Sequence, residues 1–147
     1  MLRTAKIIAP TFISMMQTTL TVRNRRYSEK DIQYIVEFHN WILRNLDMPH
    51  SLASLAGQAG FSISKMQRLF RDIYHVSVIA FIRYEKLLRA KGQIEVTSMT
   101  IKSIASDAGY RSVPAFTAAF SIAFGVTPAE LRRRAGGYTS LTVSRQN

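Results

Sequence analysis

The chain has no cysteine. That excludes disulfides, thiolate zinc sites and cysteine nucleophiles, and it fits a reducing compartment. Acid is scarce: nine Asp and Glu stand against twenty Lys and Arg, giving a formal net charge of +11 and a sequence pI of about 10.6. This imbalance points to a polyanionic partner, nucleic acid ahead of an anionic membrane surface. No stretch reaches the roughly 18 consecutive apolar residues of a membrane-spanning helix, so no membrane partner is expected. The opening MLRTAKIIAPTFISMMQTTL places Arg3 and Lys6 before an apolar run, but Pro10 interrupts the run. No small-x-small cleavage site follows cleanly, so a secretory signal is not read there and a cytoplasmic protein is the simplest expectation.

Catalytic signatures are missing as well. His39, His50 and His75 lie far apart and show no metal-ligand spacing. No paired carboxylates, glycine-rich phosphate loop or nucleophile elbow occurs. Neither an enzyme, a bound metal nor a cofactor is expected, and Trp41 reads as a packing residue of the first helix.

What the sequence does hold is a core and a repeat. Its 147 residues, 47% of them hydrophobic, suffice for one domain or two very small ones. Residues 1–26 carry Arg3, Lys6, Arg23, Arg25 and Arg26 with no acidic side chain, and they read as a basic, loosely ordered arm. From Tyr27 the signals sharpen. Ser28 can cap a helix with Asp31 at N3, and Tyr27 with Ile32 has the spacing of a hydrophobic staple. Ile32, Ile35, Val36, Phe38, His39, Ile42, Leu43 and Leu46 recur at three and four, predicting a helix to about Leu46 or Asp47 that Pro49 ends.

Beyond it SLASLAGQAGFSISKMQRLFRDIYHVS, residues 51–77, aligns with TIKSIASDAGYRSVPAFTAAFSIAFGVT, residues 100–127. Leu52, Leu55, Ala56, Ala59, Gly60 and Phe61 meet Ile101, Ile104, Ala105, Ala108, Gly109 and Tyr110. After one extra residue in the turn, Met66, Phe70 and Val76 meet Phe116, Phe120 and Val126. Each copy reads as a short helix capped by Ser51 or Thr100, a glycine turn, and a second helix crossing over a small alanine. That is the composition of a helix-turn-helix, whose second helix can enter the DNA major groove. One copy would be weak evidence; two in register are strong. Between the copies a connecting helix is predicted from Ser77 to about Glu95, and Thr127-Pro128-Ala129-Glu130 forms a capping box for a last helix to about Arg134. Gly136-Gly137 then opens a polar tail.

These residues resemble the DNA-binding domain of the AraC/XylS family of bacterial transcription regulators, over residues 28–134. The carriers are the first copy as quoted and the ending AFTAAFSIAFGVTPAELRR, close to the family's Phe-Gly and Thr-Pro-x-x-(Tyr)-Arg pattern, with Leu131 in the aromatic position and Arg132 in the arginine position. The length resembles the short stand-alone activators of the MarA/SoxS type. The resemblance implies an all-α fold of about seven helices, with two helix-turn-helix subdomains joined by a connecting helix. The expected segments are an arm 1–26, a first subdomain 27–76, the connecting helix 77–96, a second subdomain 97–134 and a flexible tail 135–147. It implies a sequence-specific regulator, an activator by type, with double-stranded DNA as partner and RNA polymerase as a further one. A connecting helix of about 18 residues spans roughly 27 Å, against about 34 Å between adjacent major-groove faces, so a monomer could meet an asymmetric site of about two turns.

In the first reading helix Met66, Leu69, Phe70 and Ile73 share one face, while Ser64, Gln67, Arg68 and Arg71 share the other. Gln67 suits adenine and Arg68 suits guanine O6 and N7, and the family places base contacts at these positions. Ser64 joins them as a base contact, and Lys65 and Arg71 read as phosphate contacts. The second reading helix differs. Its outer face is Val113, Pro114, Thr117, Ala118 and Ser121, with no arginine, lysine, glutamine or asparagine. Methyl groups can touch thymine but cannot donate paired hydrogen bonds. Arg111, Val113 and Thr117 are its candidate base contacts, and Ser51, Thr100 and Lys102 complete the backbone set through helix N-termini and charge. Discrimination is expected to concentrate in the first copy. The competing readings are a protein-interaction antagonist with this fold, the DNA-binding part of a ligand-sensing regulator, and a non-specific basic DNA coat.

Overall fold

The computed structural model describes residues 27–143; the basic arm 1–26 and residues 144–147 of the tail lie outside them. Among the described residues there are seven α-helices and no strand. They are α1 (Glu29–Arg44), α2 (Leu52–Ala59), α3 (Ile63–Tyr74), α4 (Val78–Val96), α5 (Ile101–Asp107), α6 (Val113–Phe124) and α7 (Pro128–Val143). The chain divides into two compact units after Ile82. Among the described residues no helix is long and apolar enough to cross a membrane.

In the first unit α1 begins where the Ser28 hydroxyl accepts a hydrogen bond from the Asp31 amide at 3.1 Å. It ends at Arg44, short of Leu46, because Asn45 leaves helical geometry at φ −126°. The Asn45 side-chain amide then closes the end by donating to the Trp41 carbonyl at 2.8 Å. Ile35, Phe38 and Ile42 of α1 meet Leu55, Ala56 and Ala59 of α2, Met66, Leu69, Phe70 and Ile73 of α3, and Val78, Phe81 and Ile82 from the first turns of α4. Phe70 is fully buried, a side chain whose removal from water stabilises by about 1.5–3 kcal/mol. Its ring lies 4.5 Å from that of Tyr74 and 5.5 Å from that of Phe81.

The second unit repeats this plan. Leu87, Ala90 and Ile94 from the later turns of α4 pack with Ile104 and Ala105 of α5 and Phe116 and Phe120 of α6. The repeated glycines do what the sequence asks of them. Gly60 closes α2 at φ +69° and Gly109 follows α5 at φ +85°, a left-handed geometry that costs glycine nothing. After each, the next amide reaches back to an alanine carbonyl, Phe61 to Ala56 at 3.1 Å and Tyr110 to Ala105 at 2.9 Å. The same left-handed turn ends α3 and α6, but α3 uses His75 at φ +57° where α6 uses Gly125.

A full capping box starts α7. The Thr127 amide donates to Glu130 Oε2 at 2.9 Å, and the Glu130 amide donates to Thr127 Oγ1 at 3.2 Å. Bonding from Thr127, its backbone amide first, holds the Glu130 carboxyl below its ordinary range. Arg132 ties α7 to the segment after α4 by donating from Nη1 to the Met99 carbonyl. The helix does not stop near Arg134, as the sequence suggests. Gly136 and Gly137 stay helical and α7 continues to Val143.

Candidate nucleic-acid interface

The first reading helix is seated from its serine upward. The Ser62 hydroxyl accepts from the Lys65 amide at 3.3 Å and fixes the first turn of α3. Met66, Leu69 and Phe70 are then fully buried. On the far side Ser64, Arg68 and Arg71 are exposed and Gln67 is half-buried. The four expected contacts are therefore brought onto one helix face.

Two of its neighbours are already engaged. Lys65 Nζ lies 2.8 Å from Asp31 Oδ1 on α1 and 4.7 Å from the centre of the Phe61 ring. This ammonium lowers the Asp31 carboxyl from its ordinary value. Tyr27 donates its hydroxyl to Asp72 Oδ2 at 2.5 Å, and that carboxylate raises the Tyr27 pKa while Arg68 acts on the same hydroxyl in the opposite sense. Tyr27, Asp72 and Arg68 thus form one polar group at the edge of the reading face. The sequence reading missed Tyr27 and Asp72 as members of it.

In the second unit Ser112 caps α6 by accepting from the Ala115 amide at 3.3 Å. Phe116 and Phe120 are fully buried. Outward stand Pro114, Ala115 and Ala118, exposed, with Val113 and Thr117 half-buried beside them. Ile122, one turn past Ala118, is 81% exposed, and sequence reasoning missed it. Its signal was available, since 118 and 122 share a helix face. Arg111 is exposed in the turn before α6, and Lys102 is exposed on α5.

Ser51 and Thr100 use their hydroxyls on their own helices, accepting from the amides of Ser54 and Ser103, each at 3.1 Å. On α4, Arg83 and Arg89 are exposed, and Lys91 pairs with Glu95 at 3.0 Å. His39 stacks on Tyr74 at 4.7 Å and lies 4.9 Å from Phe81, and burial lowers its pKa. Among the described residues no group of three His, Cys, Asp or Glu could hold a metal.

Comparison with known proteins places this geometry. A family model described as a helix-turn-helix domain matches residues 55–134. The regulatory protein SoxS of Salmonella typhimurium is 34% identical over 103 residues, covering 70% of this chain and 94% of SoxS. A transcriptional regulator of Chromobacterium violaceum with an AraC-type DNA-binding domain superposes with a TM-score of 0.67 at 24% identity, covering 74% of this chain and 96% of that one. A DNA-binding transcriptional dual regulator of Escherichia coli K-12 superposes with a TM-score of 0.61 at 26% identity, covering 69% and 96%.

Proposed function

Since the chain belongs to the AraC-type helix-turn-helix family of DNA-binding transcription regulators, we propose that it activates transcription by binding an asymmetric promoter site as a monomer, in the cytoplasm. Regulation here is by binding and not by catalysis. Gln67 and Arg68 of α3 carry the hydrogen-bonded base readout, with Ser64 beside them. Each well-formed bidentate pair discriminates by about 1–3 kcal/mol. Arg71 and Lys102 neutralise phosphates, and Arg111 contacts phosphate or base at the start of α6. Activation further requires a surface for RNA polymerase.

The observation that carries this reading is the contrast between two helices built to the same plan. Both have a serine-capped first turn and bury large side chains at matching positions, Met66 and Phe70 in α3 and Phe116 and Phe120 in α6. Only α3 adds an amide and two guanidiniums on the outer face, which the fold does not require. A second reading, an antagonist that docks on a protein through α6, draws on the exposed Ile122.

Selection from a randomised duplex pool at two salt concentrations tests the proposal. Enrichment of one asymmetric motif at both salts is the expected outcome. Binding without enrichment would make the protein a non-specific coat, and absence of binding would favour the antagonist.

A further inference from the structure

Helices α3 and α6 correspond position by position. Each has 12 residues, a serine cap and a left-handed C-terminal residue. Ser64, Lys65, Arg68 and Asp72 of the first become Pro114, Ala115, Ala118 and Ile122 of the second. All four replacements are exposed, and Thr117 stands half-buried beside them where α3 has Gln67. The outer face of α6 is therefore uncharged and largely apolar: Ala115 and Ala118 offer single methyl groups, Pro114 and Ile122 larger apolar ones, and Thr117 a methyl and a hydroxyl.

Charge says what covers that face. Neither α6 nor the turn 109–112 carries an acidic residue. Arg111 is exposed in the turn that leads into α6, Lys102 is exposed on α5, and the Lys86 ammonium lies 3.9 Å from where a Cβ on Gly109 would stand. An apolar ridge with a cation in the turn before it and no acid along it suits a groove floor edged by phosphates. A protein-docking face would instead be anchored by tryptophan, tyrosine or arginine in its centre, and here the centre is Ala118. Such short side chains let the helix backbone come close to base edges. Of the four bases only thymine presents a C5-methyl in the major groove, and alanine and the threonine methyl are natural contacts for it.

We propose that α6 selects thymine by its 5-methyl group, through Ala118, Thr117 and Ile122, so that the second half-site is chosen by apolar contact while the first is chosen by hydrogen bonds. This rests on the DNA-binding reading above. The test uses the full chain and a duplex selected from the randomised pool. The half whose guanine preference disappears in Arg68→Ala belongs to α3, and the other half to α6. In each half separately, every thymine is replaced by deoxyuridine, which removes the methyl and keeps the pairing. Affinity should fall about fourfold for each methyl contacted in the α6 half and stay near its original value for the α3 half. Thr117→Ser, which removes one protein methyl and keeps the hydroxyl, should reduce that loss. Insensitivity of the α6 half to deoxyuridine, or equal sensitivity of both halves, would overturn the inference while leaving sequence-specific binding intact. Failure to select any site would overturn both.

Discussion

Lys65 and Arg71 both belong to α3, yet the structure gives them different work. Lys65 points its ammonium at Asp31, 2.8 Å away, across the Phe61 ring. Arg71 is exposed. A cation that neutralises a DNA phosphate adds about 0.9 to the slope of log affinity against log salt. Over a fourfold change in salt, from about 50 to about 200 mM, that is a factor of about 3.5 for each contact. Arg71→Ala should therefore flatten the salt dependence by about one contact. Lys65→Ala should flatten it by clearly less, because its charge is already matched by a carboxylate that DNA would have to displace. Its effect should appear in the first unit's thermal stability, as a small loss typical of a partly exposed pair. Fluorescence anisotropy on a labelled duplex at four salt concentrations measures both slopes. If Lys65→Ala removes a full contact, DNA draws Lys65 off Asp31 and the bracing role is wrong; if Arg71→Ala leaves the slope unchanged, Arg71 is not a phosphate contact.

Three further outcomes follow from particular contacts. Burial holds His39 neutral among Tyr74 and Phe81 with its pKa below the ordinary 6.5, so the unfolded chain takes up a proton more readily and stability falls as pH drops from 6.5 through the folded value. Urea midpoints at pH 7.5 and pH 5 should differ, and His39→Phe should shrink the difference; an unchanged difference would place its origin elsewhere. Thr127→Ala removes the hydroxyl of the α7 capping box and should cost about 0.5–2 kcal/mol, read by chemical denaturation, whereas a neutral result would mean that α7 does not depend on its cap. Gln67→Ala and Arg68→Ala should each relax preference at one base position in a selection experiment, while the double change at Arg111 and Thr117 should leave the first half-site intact; the reverse pattern would mean that the second copy is the principal hydrogen-bonding reader.

Local chemistry made much of this legible in the sequence. The caps Ser28, Ser51, Thr100 and Thr127 each accept the expected amide, because capping depends on residues three apart. The buried stripes of α3 and α6 follow from the 3.6-residue period, which also placed Gln67, Arg68 and Arg71 on the outer side. What could not be read depends on distance along the chain. Lys65 meets Asp31 across 34 residues and Tyr27 meets Asp72 across 45, and no periodicity announces such pairs. Gly136 and Gly137 misled for another reason. Glycine lowers helix propensity by about 1 kcal/mol, but it ends a helix only when the chain turns there, and α7 runs on to Val143. His75 likewise hid its left-handed conformation, which its counterpart Gly125 signals openly.

The central claim is that α3 lies in the major groove with Arg68 against a guanine. Methylation interference on the selected duplex addresses it directly, since dimethyl sulfate places a methyl on guanine N7, the atom Arg68 would engage. The wild-type chain should reject duplexes methylated at one guanine in the α3 half, and Arg68→Ala should bind methylated and unmethylated duplexes alike at that position. Rejection that persists unchanged in Arg68→Ala, or no rejection by the wild type in a half-site that contains guanine, would contradict the account.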